Sequence, residues 1–347
     1  MNEVCATANI YSALRRALRS HSSLLVIVSM YVGVCFTLTR IYGIGTNFIV
    51  SSLGQFFFIT IFYAIIYLIY VLLYLHPERP ITHINFKFRH LSLERIFSFL
   101  LAVVAVSVLM ASFTYAKSMI PLINPFSWDA TFARWDSALH GCDAWKIVHP
   151  FLSVPMITRL LVVVYSAYFI IVLPIVPWYA AKANSKRRMQ FLLTFVLCWI
   201  LLGTVAAIIF SSAGPCFYEN ITGSDRYAEL MAYLNDAPAK FLTNSQRSLW
   251  YRYENRESNY LFAISAMPSM HVALTFLLVL VSQSRLTRAL SSIFTVLVAL
   301  GCVHFGWHYA IDIYAGIIGT LLIWWIVGLC LHGRLPFSRC LTQRELR

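Results

Sequence analysis

Charged residues are scarce in this 347-residue chain: they make up 12% of it, whereas 59% of its residues are hydrophobic. A soluble globular domain carries about 25% charged residues, because polar groups must cover its surface. So low a share excludes a soluble enzyme, a disordered chain and a nucleic-acid-binding domain, although the net charge is +13. We therefore expect an all-α protein that crosses a membrane several times.

Repeats and metal-binding cysteine patterns are also missing. The sequence contains no internal repeat, no low-complexity tract and no CxxC pair, and its eight Cys are scattered. Several of them lie in apolar runs, which favours buried apolar side chains over metal or disulfide use. Cys142 and Cys216 both fall in predicted outer loops, where they could form a disulfide.

The apolar runs are long enough for about eight transmembrane helices, since one crossing needs about 20 mostly apolar residues. The predicted spans are approximately 23–39, 47–75, 96–115, 157–180, 190–211, 271–283, 289–306 and 309–332. The third to eighth spans form a predicted catalytic membrane domain, 96–332. Residues 1–95 add a cytoplasmic segment and two further helices, and 333–347 form a basic cytoplasmic tail.

Basic residues are unevenly divided between the two sides of the predicted bundle. With the N-terminus inside, the cytoplasmic segments hold seventeen of the 27 Lys and Arg but only four of the 14 Asp and Glu. Short cytoplasmic loops are enriched in Lys and Arg, so the charge of the chain indicates its topology. Both termini are therefore expected in the cytoplasm, and the two long loops, about 116–156 and 212–267, on the outer side.

Few ionisable side chains lie at membrane depth, where they are costly and therefore candidates for function. The clearest are His271, His304, His308 and Asp312. The sixth predicted span begins at the outer face, and the turn between the seventh and eighth lies there too. The topology therefore predicts that these four side chains lie at similar depth near one face of the membrane.

Spacing adds a chemical constraint. His308 and Asp312 are four residues apart and therefore face the same way if the backbone is helical there. A carboxylate so placed can accept the Nδ1 proton of the imidazole and leave Nε2 as a nucleophile or base. His271 follows the Pro-Ser-Met sequence 268–270, which is typical of a helix start, where free amides bind anions. One imidazole can then attack while the other protonates the departing oxygen.

Two segments resemble motifs of the type 2 phosphatidic acid phosphatase superfamily. Residues 266–271, Ala-Met-Pro-Ser-Met-His, are similar to its Pro-Ser-x-His motif, and 306–316 are similar to its His-x-x-x-Asp motif followed by Gly. The resemblance implies a six-helix membrane bundle over about residues 96–332. It also implies that His308 becomes a phosphohistidine, that Asp312 orients it and that His271 is the general acid.

Phosphate-binding cations of that family are missing at two places. Its first motif, Lys-x6-Arg-Pro, would fall where residues 211–216 read Ser-Ser-Ala-Gly-Pro-Cys, and the Ser-Arg of its third motif is replaced by Gly301-Cys302. The same losses occur in the inositol phosphorylceramide synthase-like branch, and the loop 129–145 looks like bacterial members of that branch. The resemblance therefore favours a bacterial inner membrane.

Other donors must then meet the negative charge of the substrate, because an unmatched phosphate in a low-dielectric site is costly. The candidates are the helix start before His271 and side chains of the third-motif region and second outer loop, namely Ser269, Met270, His304, Tyr309, Arg247, Arg252 and Arg256.

The predicted function is an integral-membrane lipid phosphatase or phosphotransferase that cleaves a lipid-linked phosphoester at the extracytoplasmic face. Such an enzyme needs no cofactor and no metal, and the reaction would be metal-independent. Its expected partners are a lipid-linked phosphate and the membrane, with no nucleic acid. Transfer of a phospho-headgroup to a lipid hydroxyl, as the branch resemblance implies, and hydrolysis by water both fit the same motif residues.

Two other functions remain open. His304, His308 and Asp312 are spaced His-x3-His-x3-Asp and with His271 could bind Zn²⁺ in a metal-dependent membrane hydrolase. An ion-coupled transporter could instead use buried His and Asp to relay protons. The missing internal repeat and the position of the cluster at one interface argue against a transporter.

Overall fold

The computed structural model describes residues 2–44, 48–70, 72, 92–172, 174–183, 185–236, 239–255 and 263–333. Over these residues the chain is helical and has no β-strand. Long apolar helices are joined by shorter ones. The protein is therefore a polytopic all-α membrane protein, as its low charge content predicts.

Fifteen helices are labelled in the described residues, with α10 preceded by a 3₁₀ turn at Pro215–Phe217. They are α1 (Asn2–Ser20), α2 (Ser22–Ile41), α3 (Phe48–Tyr70), α4 (Leu93–Ile123), α5 (Asp129–His140), α6 (Ala144–Leu152), α7 (Pro155–Val172), α8 (Ile175–Ala180), α9 (Lys186–Leu197), α10 (Tyr218–Thr222), α11 (Ala228–Asp236), α12 (Lys240–Glu254), α13 (Met270–Val281), α14 (Arg285–His304) and α15 (Ala310–Leu331). Helix α9 continues as a π-helix, Cys198–Ala206, and ends with Ala207–Ile209.

Six segments in the described part of the chain are long and apolar enough to cross a membrane: Ser22–Ile41, Leu93–Ile123, Pro155–Ala180, Lys186–Ile209, Arg285–His304 and Ala310–Leu331. They correspond to six of the eight predicted spans. The other two predicted spans correspond to shorter apolar helical segments: Thr60–Tyr70, which is part of α3, and Met270–Val281, which is α13. With 12 residues, α13 is about 18 Å long and too short to cross a hydrocarbon core of about 30 Å by itself.

Helix α4 is longer than the sequence predicts. It has 31 residues, Leu93–Ile123, whereas the prediction ended this span at 115, two residues before the charge of Lys117. The residues after Lys117 are again mostly apolar, and the helix continues through them to Ile123. Lys117 therefore lies within a spanning helix and not in an outer loop.

The chain divides into two compact units. The first comprises Met1–Val34, Asn47–Ser112 and Ile171–Val196, and the second comprises Cys35–Thr46, Phe113–Ile170 and Leu197–Arg347. Within the first unit, Arg16 pairs with Glu94 at 2.7 Å, and the guanidinium of Arg95 donates to the carbonyl oxygen of Ala181. The second unit contains every described residue that the sequence predicts for the site.

In the second unit, α13 packs against α14 and α15, and both α13 and α15 pack against the π-helix Cys198–Ala206. Gly316 allows α15 to approach the turn before α13, because a Cβ atom at this position would lie 2.8 Å from the carbonyl oxygen of Ser269. The backbone N–H of Ser269 donates to the carbonyl oxygen of Asp312 at 3.0 Å. This close approach places the start of α13 beside the start of α15.

Replacing Gly316 with Ala should lower the thermal stability of the protein in detergent, by about 1–3 kcal/mol, because the added methyl group overpacks a backbone contact. Gly54 of α3 is the matched control, because a Cβ atom there meets nothing within 4 Å. Gly54→Ala should leave stability unchanged or raise it slightly, since Ala favours helix. Equal melting temperatures for the two variants would contradict the close approach.

Candidate active site

The turn between α14 and α15 presents His308 from a fixed backbone. The carbonyl oxygen of Cys302 accepts hydrogen bonds from the backbone N–H groups of Trp307 and His308, both at 3.1 Å. Gly306 supplies the positive φ angle of the turn, +69°. Tyr309 then caps α15, since its N–H donates to Oδ2 of Asp312 at 3.0 Å. Hydrogen bonds on both sides thus fix the backbone of His308.

His308 and Asp312 face each other, although His308 lies just before α15 and not on the helix that the spacing argument assumed. Nδ1 of His308 lies 3.4 Å from Oδ2 of Asp312, and the two residues are 6% and 0% exposed. This distance is that of an ion pair and is longer than a well-formed hydrogen bond. Hydrogen bonds between catalytic groups are often long before substrate binds and shorten in the reacting complex. The carboxylate is placed to orient the imidazole.

His271 lies beside this pair at the start of α13. The His271 and His308 rings have centroids 6.2 Å apart and planes at 62°. Three aromatic residues of α7 surround the His271 ring: Tyr165 stacks on it at 5.0 Å, Tyr168 lies at 4.4 Å, and Phe169 meets it edge-on at 5.9 Å. The structure therefore brings together the three residues that the sequence places at the centre of the chemistry.

The residues that replace the family's Ser-Arg pair fill a packed core. A Cβ atom at Gly301 would lie 3.0 Å from the Tyr165 ring, so glycine makes room for the aromatic residue that stacks on His271. Cys302 is fully buried, and its Sγ lies 3.6 Å from Oγ of Ser269. An arginine side chain at this position would collide with these neighbours, which accounts physically for the missing cation.

The segment 211–216, where the first motif would fall, makes structural hydrogen bonds. The carbonyl oxygen of Ser211 accepts from two N–H groups of the loop before α5, and that of Ser212 accepts from Ala266 at 2.9 Å. The backbone N–H of Cys216 donates to the carbonyl oxygen of Gly306 at 2.8 Å. Gly214 has φ +101°, and a Cβ atom there would lie 2.5 Å from the carbonyl oxygen of Trp307. The segment thus fixes the neighbouring turns and offers no cation.

Asp129, the first residue of α5, joins three parts of this region. Its carboxylate accepts from the N–H groups of Ala213 and Gly214, both at 2.8 Å, and from the hydroxyl of Tyr309 at 2.9 Å. Burial raises the pKa of Asp129, and these hydrogen bonds oppose the rise. The charged form is favoured by all three donors.

Asp136, two turns further along α5, holds the start of α15. Its Oδ1 accepts from the N–H of Ile311 at 3.2 Å, and its Oδ2 accepts from the N–H of Ala144 at 3.3 Å. Burial raises the pKa of this carboxyl group as well, against the same kind of hydrogen bonds. A carboxylate at the positive end of a helix is stabilising.

The two long loops are also joined by an ion pair. The guanidinium of Arg226 donates to Oδ1 of Asp143 from Nε at 2.9 Å and from Nη2 at 2.5 Å. Its Nη2 also reaches the carbonyl oxygen of Ala133 and the hydroxyl of Ser137. The hydrogen bond to Asp143 raises the pKa of Arg226. This loop cation therefore has a structural role.

The other predicted phosphate-binding residues differ in their surroundings. Ser269 and Met270 lie at the start of α13, and the Tyr309 hydroxyl is engaged with Asp129. His304 is directed elsewhere: its Nε2 lies 3.3 Å from Oγ1 of Thr158, and its ring is near those of His149 and Tyr233.

The predicted basic residues of the second loop lie on or after α12. Arg247 is exposed and donates to Asn244 Oδ1 at 2.9 Å, and Arg252 is half-buried. Arg256 lies outside the described residues, as do most of 333–347 and part of the predicted span 47–75. Arg247 lines a cavity of about 580 Å³ together with polar and aromatic residues, including Gln246, Trp250 and Glu254. Neither His271 nor His308 lines this cavity.

The metal-site alternative requires His304, His308, Asp312 and His271 to converge. Among the residues that the structure describes, no group of three or more His, Cys, Asp or Glu side chains is arranged to hold a metal ion. The side chain of His304 instead contacts Thr158. The geometry therefore gives the zinc alternative no support beyond the sequence spacing.

Sequence reasoning missed three residues around His271. Tyr165 and Tyr168 pack on its ring, and Lys117 of α4 interacts with it electrostatically. The tyrosines carry no sequence signal, because aromatic residues are common in apolar spans. Lys117 did have a sequence signal, because the apolar residues that follow it extend the third span and place its charge inside that span.

Comparison with known proteins assigns the family. A family model described as the PAP2 superfamily matches residues 130–326, more than half of the chain, and this range includes His271, His308 and Asp312. The chain belongs to the PAP2 superfamily. No curated protein and no solved structure matches it significantly. Membership indicates a membrane-bound phosphoesterase with lipid phosphatase-like activity acting on a lipid substrate.

Replacing Tyr309 with Phe should lower thermal stability by about 1–3 kcal/mol, because a buried carboxylate loses one of its three donors. Turnover should fall as well, since Tyr309 adjoins His308. Tyr314→Phe is the matched control on the same helix: its hydroxyl bonds to His140 at 2.9 Å, and its side chain is 42% exposed. If the two variants melt at the same temperature, the Asp129 junction does not carry the stability assigned to it.

Proposed function

We propose that this protein cleaves a lipid-linked phosphoester through a covalent phosphohistidine on His308, with Asp312 orienting that imidazole and His271 acting as general acid. The observation that carries the proposal is the convergence of the three side chains from two helices, with Nδ1 of His308 3.4 Å from the Asp312 carboxylate. A carboxylate so placed favours the tautomer that leaves Nε2 free to attack.

In the first step, Nε2 of His308 forms a bond to phosphorus while the bond from phosphorus to the leaving oxygen breaks. A proton passes from the His271 imidazolium to that oxygen, so the leaving group departs as a neutral hydroxyl. Positive charge that develops on His308 is balanced by Asp312. General acid catalysis of this kind contributes about 10²–10⁴-fold to the rate.

In the second step, the neutral His271 takes a proton from the acceptor hydroxyl as the acceptor oxygen attacks phosphorus and the nitrogen–phosphorus bond breaks. Water as acceptor gives free phosphate or a phosphate monoester, whereas a lipid hydroxyl gives a new phospholipid. The aromatic side chains of Tyr165, Tyr168 and Phe169 restrict water near His271. The inositol phosphorylceramide synthase-like branch, with transfer to a lipid hydroxyl, is therefore part of the proposal.

We place the site at the extracytoplasmic face, with both termini in the cytoplasm. The excess of Lys and Arg in the segments on the opposite side supports this orientation. The start of α13 and the turn before α15 then lie at headgroup level, which suits a phosphate attached to a lipid. A bacterial inner membrane is the location that we infer from the loop resemblance.

His308→Ala should abolish turnover of lipid phosphates by purified protein in lipid vesicles, by at least about a thousandfold, because the nucleophile is lost. His332→Ala is the matched control: this exposed residue lies just beyond α15 and bonds only to the carbonyl oxygen of Gly328. Free phosphate and new phospholipid are measured together, with and without an added acceptor lipid. Product that requires the acceptor identifies a transferase.

Chelator and orthovanadate separate this mechanism from the metal alternative. A phosphohistidine enzyme keeps its activity in chelator and is inhibited by vanadate, which mimics phosphate, whereas a zinc hydrolase behaves in the opposite way. Loss of all activity in chelator, or full activity in His308→Ala, would overturn the proposal.

A further inference from the structure

Lys117 is a charge inside a membrane-spanning helix that the proposed mechanism does not use. It lies near the C-terminal end of α4, after a long stretch without charged residues, and is half-buried. Ionisable residues in such segments are expensive, and they persist where they serve a site.

Within the described residues Lys117 forms no ion pair with a carboxylate and no hydrogen bond, and burial removes water from its charge. A buried ammonium group that merely supported the fold would be expected to have a carboxylate or carbonyl partner. The ammonium group therefore remains available to an anion.

Packing brings α4, the helix that carries Lys117, close to the start of α13, where His271 lies. A Cβ atom at Gly203 of the π-helix would lie 3.0 Å from the ring of Phe113 and 3.4 Å from Sδ of Met270, so α4 and α13 approach each other through this glycine. Lys117 lies one helical turn beyond Phe113, and His271 directly follows Met270. In keeping with this placement, Lys117 and His271 interact electrostatically.

We propose that Lys117 binds the phosphate of the substrate and supplies the positive charge that the family's first and third motifs supply elsewhere. This inference rests on the proposed function, since it names a residue of the same site. A cationic lysine and a protonated His271 repel each other. An anionic phosphate between them removes that repulsion and lets His271 hold the proton that it gives to the leaving group.

The positions where the family has cations, 211–216 and 301–302, have no room for one in this chain, which favours Lys117 as the phosphate ligand. Cys302 and Gly301 are enclosed by Ser269 and Tyr165, and the segment 211–216 is occupied by hydrogen bonds to neighbouring turns. Arg226 is paired with Asp143. Lys117 is thus a basic side chain whose charge acts on His271 and that has no ion-pair or hydrogen-bond partner among the described residues.

The test compares wild type with Lys117→Met, Lys117→Arg and the control Lys146→Met in lipid vesicles. Lys146 is exposed and lies over the ring of Trp145, so its replacement removes the same charge away from the site. Inhibition by inorganic phosphate and by orthovanadate should weaken about 10–100-fold in Lys117→Met, and KM should rise more than kcat falls, because a charged hydrogen bond to the anion is lost. Lys117→Arg should retain part of the affinity, and Lys146→Met all of it.

A second measurement needs no turnover. Inorganic phosphate should raise the melting temperature of wild type and of Lys146→Met but not of Lys117→Met. Without phosphate, Lys117→Met should melt at or above the wild-type temperature, since an unpaired charge is replaced by an apolar side chain.

Each outcome decides one proposal. Phosphate inhibition and phosphate-induced stabilisation that are unchanged in Lys117→Met, or absent from wild type, would overturn the role of Lys117. A large drop in melting temperature for Lys117→Met without phosphate would make the residue structural and also overturn it. Turnover that survives His308→Ala while Lys117→Met still loses phosphate binding would instead overturn the mechanism and leave the anion site.

Discussion

The site depends on the three hydrogen bonds that the carboxylate of Asp129 accepts. Its three donors come from the segment after α9 and from Tyr309, the residue that follows His308. A carboxylate in a poorly solvated place is stable only when donors surround it. Because Asp129 and Asp136 lie on the same short helix, α5 fixes both the segment 213–214 and the start of α15. Helix α5 and the segment 213–214 are therefore part of the framework of the candidate site and not simple connections.

This framework accounts for where the positive charge is missing. Residues 211–216 and 301–302 approach their neighbours so closely that glycine or small side chains are required at several points. Long basic side chains have no space there, and the one loop arginine nearby, Arg226, is committed to Asp143. Lys117 differs from these positions, because burial within the protein leaves its charge poorly solvated. Such a charge interacts more strongly with an anion than one at the surface.

The surroundings of His271 bear on the choice of acceptor. Tyr165, Tyr168 and Phe169 pack around its ring, and Gly301 leaves space for the first of them. Excluding water strengthens electrostatic interactions and suppresses side reactions. In a membrane site the alternative acceptor is a lipid hydroxyl that diffuses in from the bilayer. In the mechanism that we propose, the same three residues serve hydrolysis or transfer, according to how well the side chains of Tyr165, Tyr168 and Phe169 exclude water.

The sequence by itself determined the membrane class, the approximate positions of the spans and the pairing of His308 with Asp312. Hydropathy reports burial in lipid directly. His308 and Asp312 meet across the N-terminal cap of α15, and residues so near in sequence are close in space by local geometry. The predicted length of α4 was wrong, because the prediction placed Lys117 beyond the end of the apolar run. The surroundings of Tyr309, His304 and Lys117 were decided only by the tertiary structure. Tyr309 reaches a carboxylate 180 residues away in sequence, and His304 turns toward Thr158 although it shares a helical spacing with His308. Which partner a side chain meets across helices depends on how those helices pack, and neither periodicity nor motif spacing contains that information.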